Sequence, residues 1–417
     1  MTLTLRNTAL TACILLALAY TCFTVRSFQA MRLSSSLDVA SLQRAIGLEP
    51  GNASDQDLLC RFLLFDRQDA AAATPACERA TQLNPYDSAA WLDLALAYYT
   101  RGAEADQRRA ILAAIAVDPK TPDVAWQAAN FFLTQGETAQ AFRQFAVAMH
   151  GDPNRIGPSL AASWRATHDV NAILAILPPD PDAYLQFIRL LMANNQWEGA
   201  HQVWSAMVLL KAPLDYRRAL FYVDAQLQQR NPSRAVEAWN QLAARSPILH
   251  AYTGGVNLVV NGGFDQEILN AGFDWHYEPR GGSTPSLDVG EFHSPGRSLL
   301  ISYRGNGGDA GFFQYVPVKP NTQYTLSAWT KSEKLETANG PRVSVYGGYD
   351  GKLYAQTPET TDTTPWHRLA TTFQTGPETE IVVIRLSRDP ADTIIKGKFW
   401  VDDVDLRAAT PSALREK

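Results

Sequence analysis

Apolar residues recur at helical spacing through the first 250 residues, and a proline returns at a nearly constant distance. Pro85, Pro119 and Pro153 follow one another at intervals of 34 residues, and Pro50 lies 35 residues before Pro85. Because proline lacks the N–H that a continuing helix needs, it ends one helix and opens the next. The period therefore predicts a series of helical hairpins, each about 34 residues long.

The same residue types return at the same positions between these prolines. The helix after Pro85 carries Trp91, Leu94, Ala95 and Tyr98, and the helix after Pro119 carries Ala125, Ala128, Ala129 and Phe132. This pattern resembles the tetratricopeptide repeat. Five repeats are predicted at 53–87, 88–121, 122–155, 181–215 and 216–249, within an α-solenoid spanning 50–250. The irregular segment 156–180 is either a truncated hairpin or a kink. The resemblance implies a concave groove for a protein partner.

Helical periodicity stops near Ala251, and short alternating strands separated by Gly, Pro, Asn and Asp begin. Many short strands in about 150 residues predict an antiparallel β-sandwich. The predicted strands are 256–260, 297–303, 323–331, 342–347, 366–374, 380–387 and 399–406. The chain is therefore a multidomain α + β protein.

Four motifs in this region carry a second resemblance. They are NLVVNGGFD at 257–265, YTLSAW, TPWHRLATTF and the closing FWVDDVDL. They look like a carbohydrate-binding module with a jelly-roll fold, of the galactose-binding-like superfamily. The resemblance implies such a sandwich over 256–407, followed by a tail at 408–417. It implies glycan binding less firmly, because the same sandwich also serves as a structural appendage.

Strand alternation sorts the side chains of these strands into two faces. Trp329, Tyr346 and Arg385 each alternate with apolar residues, which predicts that they share one face away from the core. Aromatic rings stack on sugars and Arg donates to hydroxyl groups, so the three residues together suit a glycan groove. The alternative is that another layer covers them.

Trp275 and Tyr277 stand in a loop-rich segment where similar modules often place ligand contacts, which makes them further candidates. The alternative is an aromatic plug at the sandwich edge. Asp265 and Asp402 match acidic positions that hold a structural calcium in similar modules. Asp402 is predicted to face inward, and the alternative to calcium is a hydrogen bond to the N-terminal strand.

Residues 8–25 carry no charge. As a helix they span about 27 Å, enough to cross a bilayer core. We predict an uncleaved transmembrane anchor at 8–25, with 1–7 cytoplasmic and 26–49 forming a linker or first helix. A cleavable signal peptide, and hence a secreted protein, is the alternative, because Ala17-Leu18-Ala19 resembles a cleavage site. Arg6 and Arg26 flank the stretch on opposite sides, so the positive-inside rule gives almost no preference for either orientation. The predicted β-sandwich is therefore the reason for placing most of the chain outside the cytoplasm.

Composition narrows the picture. Formal net charge is −5 and no long Lys or Arg run occurs, which argues against nucleic-acid binding. Cys13 and Cys22 lie in the apolar stretch. Cys60 and Cys77 fall in one predicted hairpin, where they either form a disulfide in an oxidising compartment or pack as buried thiols.

No HExxH, GxSxG or Walker-type motif is present in the sequence. We therefore expect a non-catalytic scaffold protein. We expect it in a bacterial inner membrane, with most of the chain periplasmic. Its repeats would provide a groove for a protein partner, and its sandwich would bind a glycan. By analogy of architecture it would act in exopolysaccharide assembly or export. The alternatives are a glycan-active enzyme with a site between domains, and a repeat-based assembly factor whose sandwich is structural.

Overall fold

The computed structural model describes residues 2–36, 38–252, 257–278 and 282–409. Its contacts divide the chain into two compact units, Met1–Ala212 and Pro213–Lys417. The first unit is helical. The second contains the last helical hairpin and the β-strands, so this hairpin belongs with the strands rather than with the preceding repeats. The predicted tail 408–417 lies outside the described residues from 410 onward.

The first unit contains twelve α-helices among the described residues. They are α1 (Thr2–Ser34), α2 (Val39–Leu48), α3 (Ala53–Arg61), α4 (Ala70–Leu83), α5 (Ser88–Thr100), α6 (Glu104–Val117), α7 (Pro122–Thr134), α8 (Thr138–Gly151), α9 (Ile156–Thr167), α10 (Val170–Leu174), α11 (Pro181–Ala193) and α12 (Trp197–Val208). A π-helix (Phe62–Asp66) follows α3, and a 3-10 helix (Pro153–Arg155) precedes α9.

The apolar N-terminal stretch forms most of α1. By length and composition, Leu10–Ser34 could cross a membrane, with a mean hydropathy of 1.6. The end of this helix packs within the first unit: Ala30 is fully buried, and the Ser34 hydroxyl donates to Asp55 at 2.6 Å. The predicted linker or first helix at 26–49 therefore contains the end of α1 and the whole of α2, with residue 37 outside the described residues.

The predicted prolines lie in the connections between helices, where their missing N–H costs no hydrogen bond. Asp87 caps α5 by accepting from the backbone N–H groups of Ala89 and Ala90. Gly102 and Gly136 end their helices at φ of +70° and +73°, a region that favours glycine. Each of the five predicted repeats contains one hairpin, which confirms the helical-repeat prediction. Residues 156–180 form a hairpin whose second helix, α10, is short.

A disulfide joins Cys60 on α3 to Cys77 on α4. Both residues are fully buried between the two helices of one hairpin. Cys13 and Cys22 are free and exposed on α1.

The second unit begins with α13 (Tyr216–Gln228) and α14 (Pro232–Ala243). Ten strands follow in the described part of this unit: β1 (His276–Tyr277), β2 (Ser283–Asp288), β3 (Ser298–Gly307), β4 (Phe312–Pro317), β5 (Gln323–Thr337), β6 (Arg342–Gly347), β7 (Leu353–Gln356), β8 (Asp362–Gln374), β9 (Ile381–Ser387) and β10 (Ile394–Ala408). The predicted strand at 256–260 is wrong for residues 257–260, which form loop and turn; Val256 lies outside the described residues.

These strands form two antiparallel five-stranded sheets. The front sheet has the order β1-β4-β9-β6-β7, and the back sheet has the order β2-β3-β10-β5-β8. Apolar residues of both sheets share one buried core, with Val345 and Ile384 from the front meeting Leu326 and Phe399 from the back. The predicted β-sandwich is confirmed. Each sheet has an inner face on this core and an outer face away from it.

Candidate functional site

The outer face of the front sheet carries aromatic side chains that the sequence prediction missed. In β4 the residues Phe312, Gln314 and Val316 are buried, whereas Phe313 and Tyr315 are half-buried and point outward. The signal was present as strict alternation in FFQYVP at 312–317. The predicted strands do not include this short segment.

His276 of β1 completes an aromatic patch with Phe313 and Tyr315. The imidazole stacks on Phe313 with ring centroids 5.0 Å apart and planes 13° apart. Tyr315 meets both rings edge-on, at 5.5 Å from His276 and 5.6 Å from Phe313. The three rings, called the aromatic patch below, fix one another in orientation.

Tyr346 and Arg385 lie on the same outer face. Arg385 of β9 stands opposite Phe313 of β4 on one side and opposite Ser344 of β6 on the other. Tyr346, two residues after Ser344, shares its face. The Arg385 Nε donates to Asp309 at 3.1 Å, which holds the guanidinium in place. The front face therefore combines aromatic rings with a positioned cation.

A cavity of about 530 Å³ opens over the aromatic patch. Its sandwich lining includes the patch itself with Glu278, Gly348 and Tyr349, and residues of α13 complete it. This volume lies within the range of about 300–1,000 Å³ that is usual for small-ligand sites. Burial raises the pKa of Tyr349 to about 12, and Glu380 and Tyr315 act in the same direction. Its hydroxyl group therefore stays protonated at neutral pH.

Trp329 does not join Tyr346 and Arg385, so the predicted shared face is wrong. Trp329 lies on β5 of the back sheet, whereas β6 and β9 belong to the front sheet. Alternation correctly gave the outward direction of each side chain. Alternation could not show that side chains pointing outward from the two sheets lie on opposite sides of the sandwich.

On the back sheet, the His293 ring stacks on Trp329 at 3.7 Å and its Nδ1 lies 2.6 Å from Asp403. A second cavity of about 530 Å³ adjoins this pair, with Arg368 and Arg407 in its lining. One face of the Trp329 indole is therefore occupied by a protein side chain.

The prediction that Trp275 contacts a ligand is wrong. It is fully buried, stacks on Phe264 at 5.1 Å, and donates from Nε1 to the carbonyl of Asn261 at 3.0 Å. Tyr277 stacks on Phe312 at 5.0 Å and packs against the core. The alternative of an aromatic plug therefore describes both residues, and His276 between them is the one that reaches the cavity.

Asp402 is buried, but not toward the sandwich core. It stands opposite Trp329, which points outward, and its Oδ2 accepts the backbone N–H groups of His293 and Ser294 at 2.8 and 3.1 Å. Asp402 Oδ1 accepts the N–H of Asp403 at 2.8 Å. Burial raises the pKa of Asp402, while these N–H groups lower it. A loop therefore satisfies the carboxylate, in place of the N-terminal strand.

The structural calcium at Asp265 and Asp402 stays a prediction. Asp265 and Asp402 both approach the point where a side chain at Gly263 would begin, at 3.3 and 3.8 Å. However, the oxygens of Asp402 already accept hydrogen bonds, and the Arg297 guanidinium donates to the carbonyls of Phe264 and Asp265. The described residues include no group of three or more His, Cys, Asp or Glu arranged for a metal. Calcium takes six to eight oxygen ligands.

Comparison with known proteins gives the class of the second unit. The family described as a carbohydrate binding domain matches residues 256–393. The chain thus combines tetratricopeptide-type hairpins with a C-terminal sandwich similar to carbohydrate-binding modules, as the sequence predicted.

Several solved structures resemble parts of the chain. A structure described as "CBM4 structure and function" is 18% identical, covers 36% of this chain and 99% of its own, and has a TM-score of 0.29. A family 16 carbohydrate binding module is 26% identical, with 36% and 99% coverage and a TM-score of 0.26. A MamA protein is 12% identical, covers 49% of this chain and 94% of its own, and has a TM-score of 0.28. No curated protein matches the sequence.

Proposed function

We propose that the chain is a non-catalytic binding protein whose sandwich holds a glycan on the outer face of the front sheet. The observation that carries this proposal is the aromatic patch under a cavity of about 530 Å³. The match of residues 256–393 to a carbohydrate binding domain supports it.

The chemistry of this face suits sugars. The C–H faces of a sugar ring pack on aromatic rings, and its hydroxyl groups hydrogen-bond to a few fixed polar groups. Phe313 and Tyr315 supply the ring surface, while Arg385 supplies donors held in place by Asp309. Tyr346 extends the same face by one strand.

The repeat hairpins of the first unit provide the second half of the proposal. A groove of about 290 Å³ runs along α5 and α7, with Leu96, Tyr99, Asn130 and Phe131 in its lining. Apolar side chains beside amide groups suit an extended peptide segment. We propose that a protein partner binds here, so that the chain connects a protein to a glycan.

We further propose that α1 is an inner-membrane anchor and that the remainder lies outside the cytoplasm, in a bacterial exopolysaccharide assembly or export system. The disulfide between Cys60 and Cys77 supports the compartment, because such bonds persist where conditions are oxidising and are rare in the cytosol.

The compartment is tested by trapping thiols in intact cells. In a Cys13→Ser/Cys22→Ser background, acid quenching followed by maleimide-polyethylene glycol should label neither remaining cysteine until a reductant is added. Labelling of both thiols without reductant would remove the extracytoplasmic placement. Protection of the two cysteines from labelling is expected to be nearly complete outside the cytosol, because the glutathione and thioredoxin that keep thiols reduced act in the cytosol.

The glycan face is tested by substitution in the full chain. Phe313→Ala and Tyr346→Ala should each weaken binding to β-glucan or xylan oligosaccharides by about 2 kcal/mol, roughly thirtyfold, because each removes an aromatic ring from the outer face of the front sheet. Titration calorimetry measures the affinity. Circular dichroism checks that each variant is folded.

Trp329→Ala is the matched control, since it removes an aromatic ring from the outer face of the other sheet. Its affinity should equal that of the unchanged protein. If Trp329→Ala abolishes binding and the two front-face variants do not, the ligand occupies the back sheet and the proposed site is wrong.

A further inference from the structure

One wall of the front-face cavity comes from a repeat helix rather than from the sandwich. Asp224, Leu227 and Gln228 of α13 line it together with Arg230, which directly follows the helix in the hairpin turn. These residues and the sandwich belong to the same compact unit. A carbohydrate-binding face would be open to solvent on this side without α13.

The α13–α14 hairpin is fixed to the sandwich by close packing. Trp239 of α14 covers Gly272, where an added Cβ would approach the indole to 2.7 Å. The same indole meets Phe273 edge-on at 5.8 Å and donates from Nε1 to the carbonyl of His250 at 2.8 Å. Gly272 has a φ of +62°, so both its backbone and its lack of a side chain suit this contact.

Polar contacts hold α13 at both ends. Near its start, Arg217 pairs with Glu267 at 2.8 Å. Further along, Asp224 Oδ1 accepts the N–H of Gly272 at 2.6 Å. At its end, the Arg230 guanidinium lies over the Tyr349 ring, 5.6 Å from the centroid. The wall is therefore positioned before any ligand arrives, which lowers the entropy cost of binding.

Polar side chains of both the hairpin and the sandwich line the cavity. The Tyr349 hydroxyl is buried and has no hydrogen-bond partner among the described residues, although a buried hydroxyl normally has one. Gln228 and Arg230 are exposed at the rim. Two carboxylates, Asp224 and Glu278, face the same space. Burial raises the pKa of Asp224, while the Gly272 N–H and His276 lower it.

We propose that α13 is the specificity-determining wall of the glycan site, so that a sugar lies between the aromatic patch and the helix. Gln228, Arg230 and Tyr349 hydrogen-bond to its hydroxyl groups. The Asp224 carboxylate accepts sugar hydroxyls and repels anionic sugars, so the ligand is a short neutral oligosaccharide segment rather than a uronic-acid chain. The inference rests on the proposed glycan function and adds a wall and a ligand class to it.

The test compares helix variants with their nearest neighbour in the full-length chain. Gln228→Ala/Arg230→Ala should bind neutral β-glucan or xylan oligosaccharides about tenfold more weakly, the loss expected for one or two hydrogen bonds. Gln229→Ala is the matched control, because Gln229 lies between Gln228 and Arg230 and is exposed like them, but does not line the cavity. Its affinity should be unchanged.

A charge variant tests the ligand class. The unchanged protein should bind neutral oligosaccharides better than oligogalacturonate, and Asp224→Asn, which keeps an acceptor for the Gly272 N–H, should narrow that preference several-fold.

If Phe313→Ala loses binding while Gln228→Ala/Arg230→Ala binds normally, the helix wall is wrong and the glycan function stands. If the unchanged protein binds none of these sugars, the glycan function fails first. Preferred binding of oligogalacturonate overturns the neutral class.

Discussion

Alanine in place of Trp275 is expected to lower the free energy of unfolding of the second unit by about 3–5 kcal/mol, the usual cost of truncating a buried tryptophan. The indole is fully buried and stacks on Phe264. Its loss also removes one of the two hydrogen bonds that the carbonyl of Asn261 accepts, leaving only that from the Phe264 N–H. Urea denaturation followed by circular dichroism measures the effect without depending on tryptophan fluorescence.

Trp329→Ala is the comparison for this experiment. Trp329 is half-buried and lies outside the core cluster, so its truncation should cost about 1 kcal/mol, near the average of point substitutions. If Trp275→Ala leaves the unfolding curve unchanged and abolishes glycan binding, the residue is a ligand contact and its placement in the core is wrong.

The helical half of the fold was predictable because its signals are local. A proline that stops a helix and a glycine at positive φ act within a few residues of their own positions. The 34-residue spacing of Pro85, Pro119 and Pro153 therefore placed hairpins correctly without knowledge of any long-range contact. The short α10 was visible only as a departure from that period.

The sandwich was predictable strand by strand but not as an assembly. Alternation told which side chains of β5, β6 and β9 leave the core. The sheet to which each strand belongs depends on pairing between residues far apart in the chain, such as Phe313 with Arg385. For this reason Trp329 and Tyr346 were joined into one face although they lie on opposite sheets.

The candidate site was missed for a related reason. Phe313 and Tyr315 stand in a six-residue strand, and His276 stands in a two-residue strand, too short for a reliable periodic signal. Gln228 and Arg230 lie within the predicted repeat 216–249, and the sequence gave no sign of another role for them. The last hairpin has the sequence period of a repeat but packs with the sandwich. Periodicity reports only the local helix and cannot show what the hairpin contacts.

The contacts of the last hairpin connect repeat and sandwich in energetic terms. A tetratricopeptide-type hairpin normally buries its apolar face against neighbouring repeats. Here Trp239 is covered by Gly272 and Phe273 of the segment that leads into the sandwich. We therefore expect the hairpin and the sandwich to unfold as one cooperative unit, because neither can expose this surface without cost.

Trp239→Ala should consequently destabilise the second unit by about 3–5 kcal/mol and also weaken glycan binding under conditions where the sandwich stays folded. The substitution removes the packing that holds α14, and with it the position of α13 beside the aromatic patch. Limited proteolysis should cut the chain between 213 and 250 more readily than in the unchanged protein. Titration with a neutral xylan or β-glucan oligosaccharide measures the affinity.

Trp204→Ala is the matched control, because Trp204 is as deeply buried as Trp239 but lies on α12 of the first unit. It should cost a similar free energy of unfolding in the first unit while the affinity for the oligosaccharide is kept. Equal loss of affinity in both variants would mean that binding reports general stability. Release of the hairpin by Trp239→Ala with full affinity would show that the sandwich binds its glycan without the helix wall.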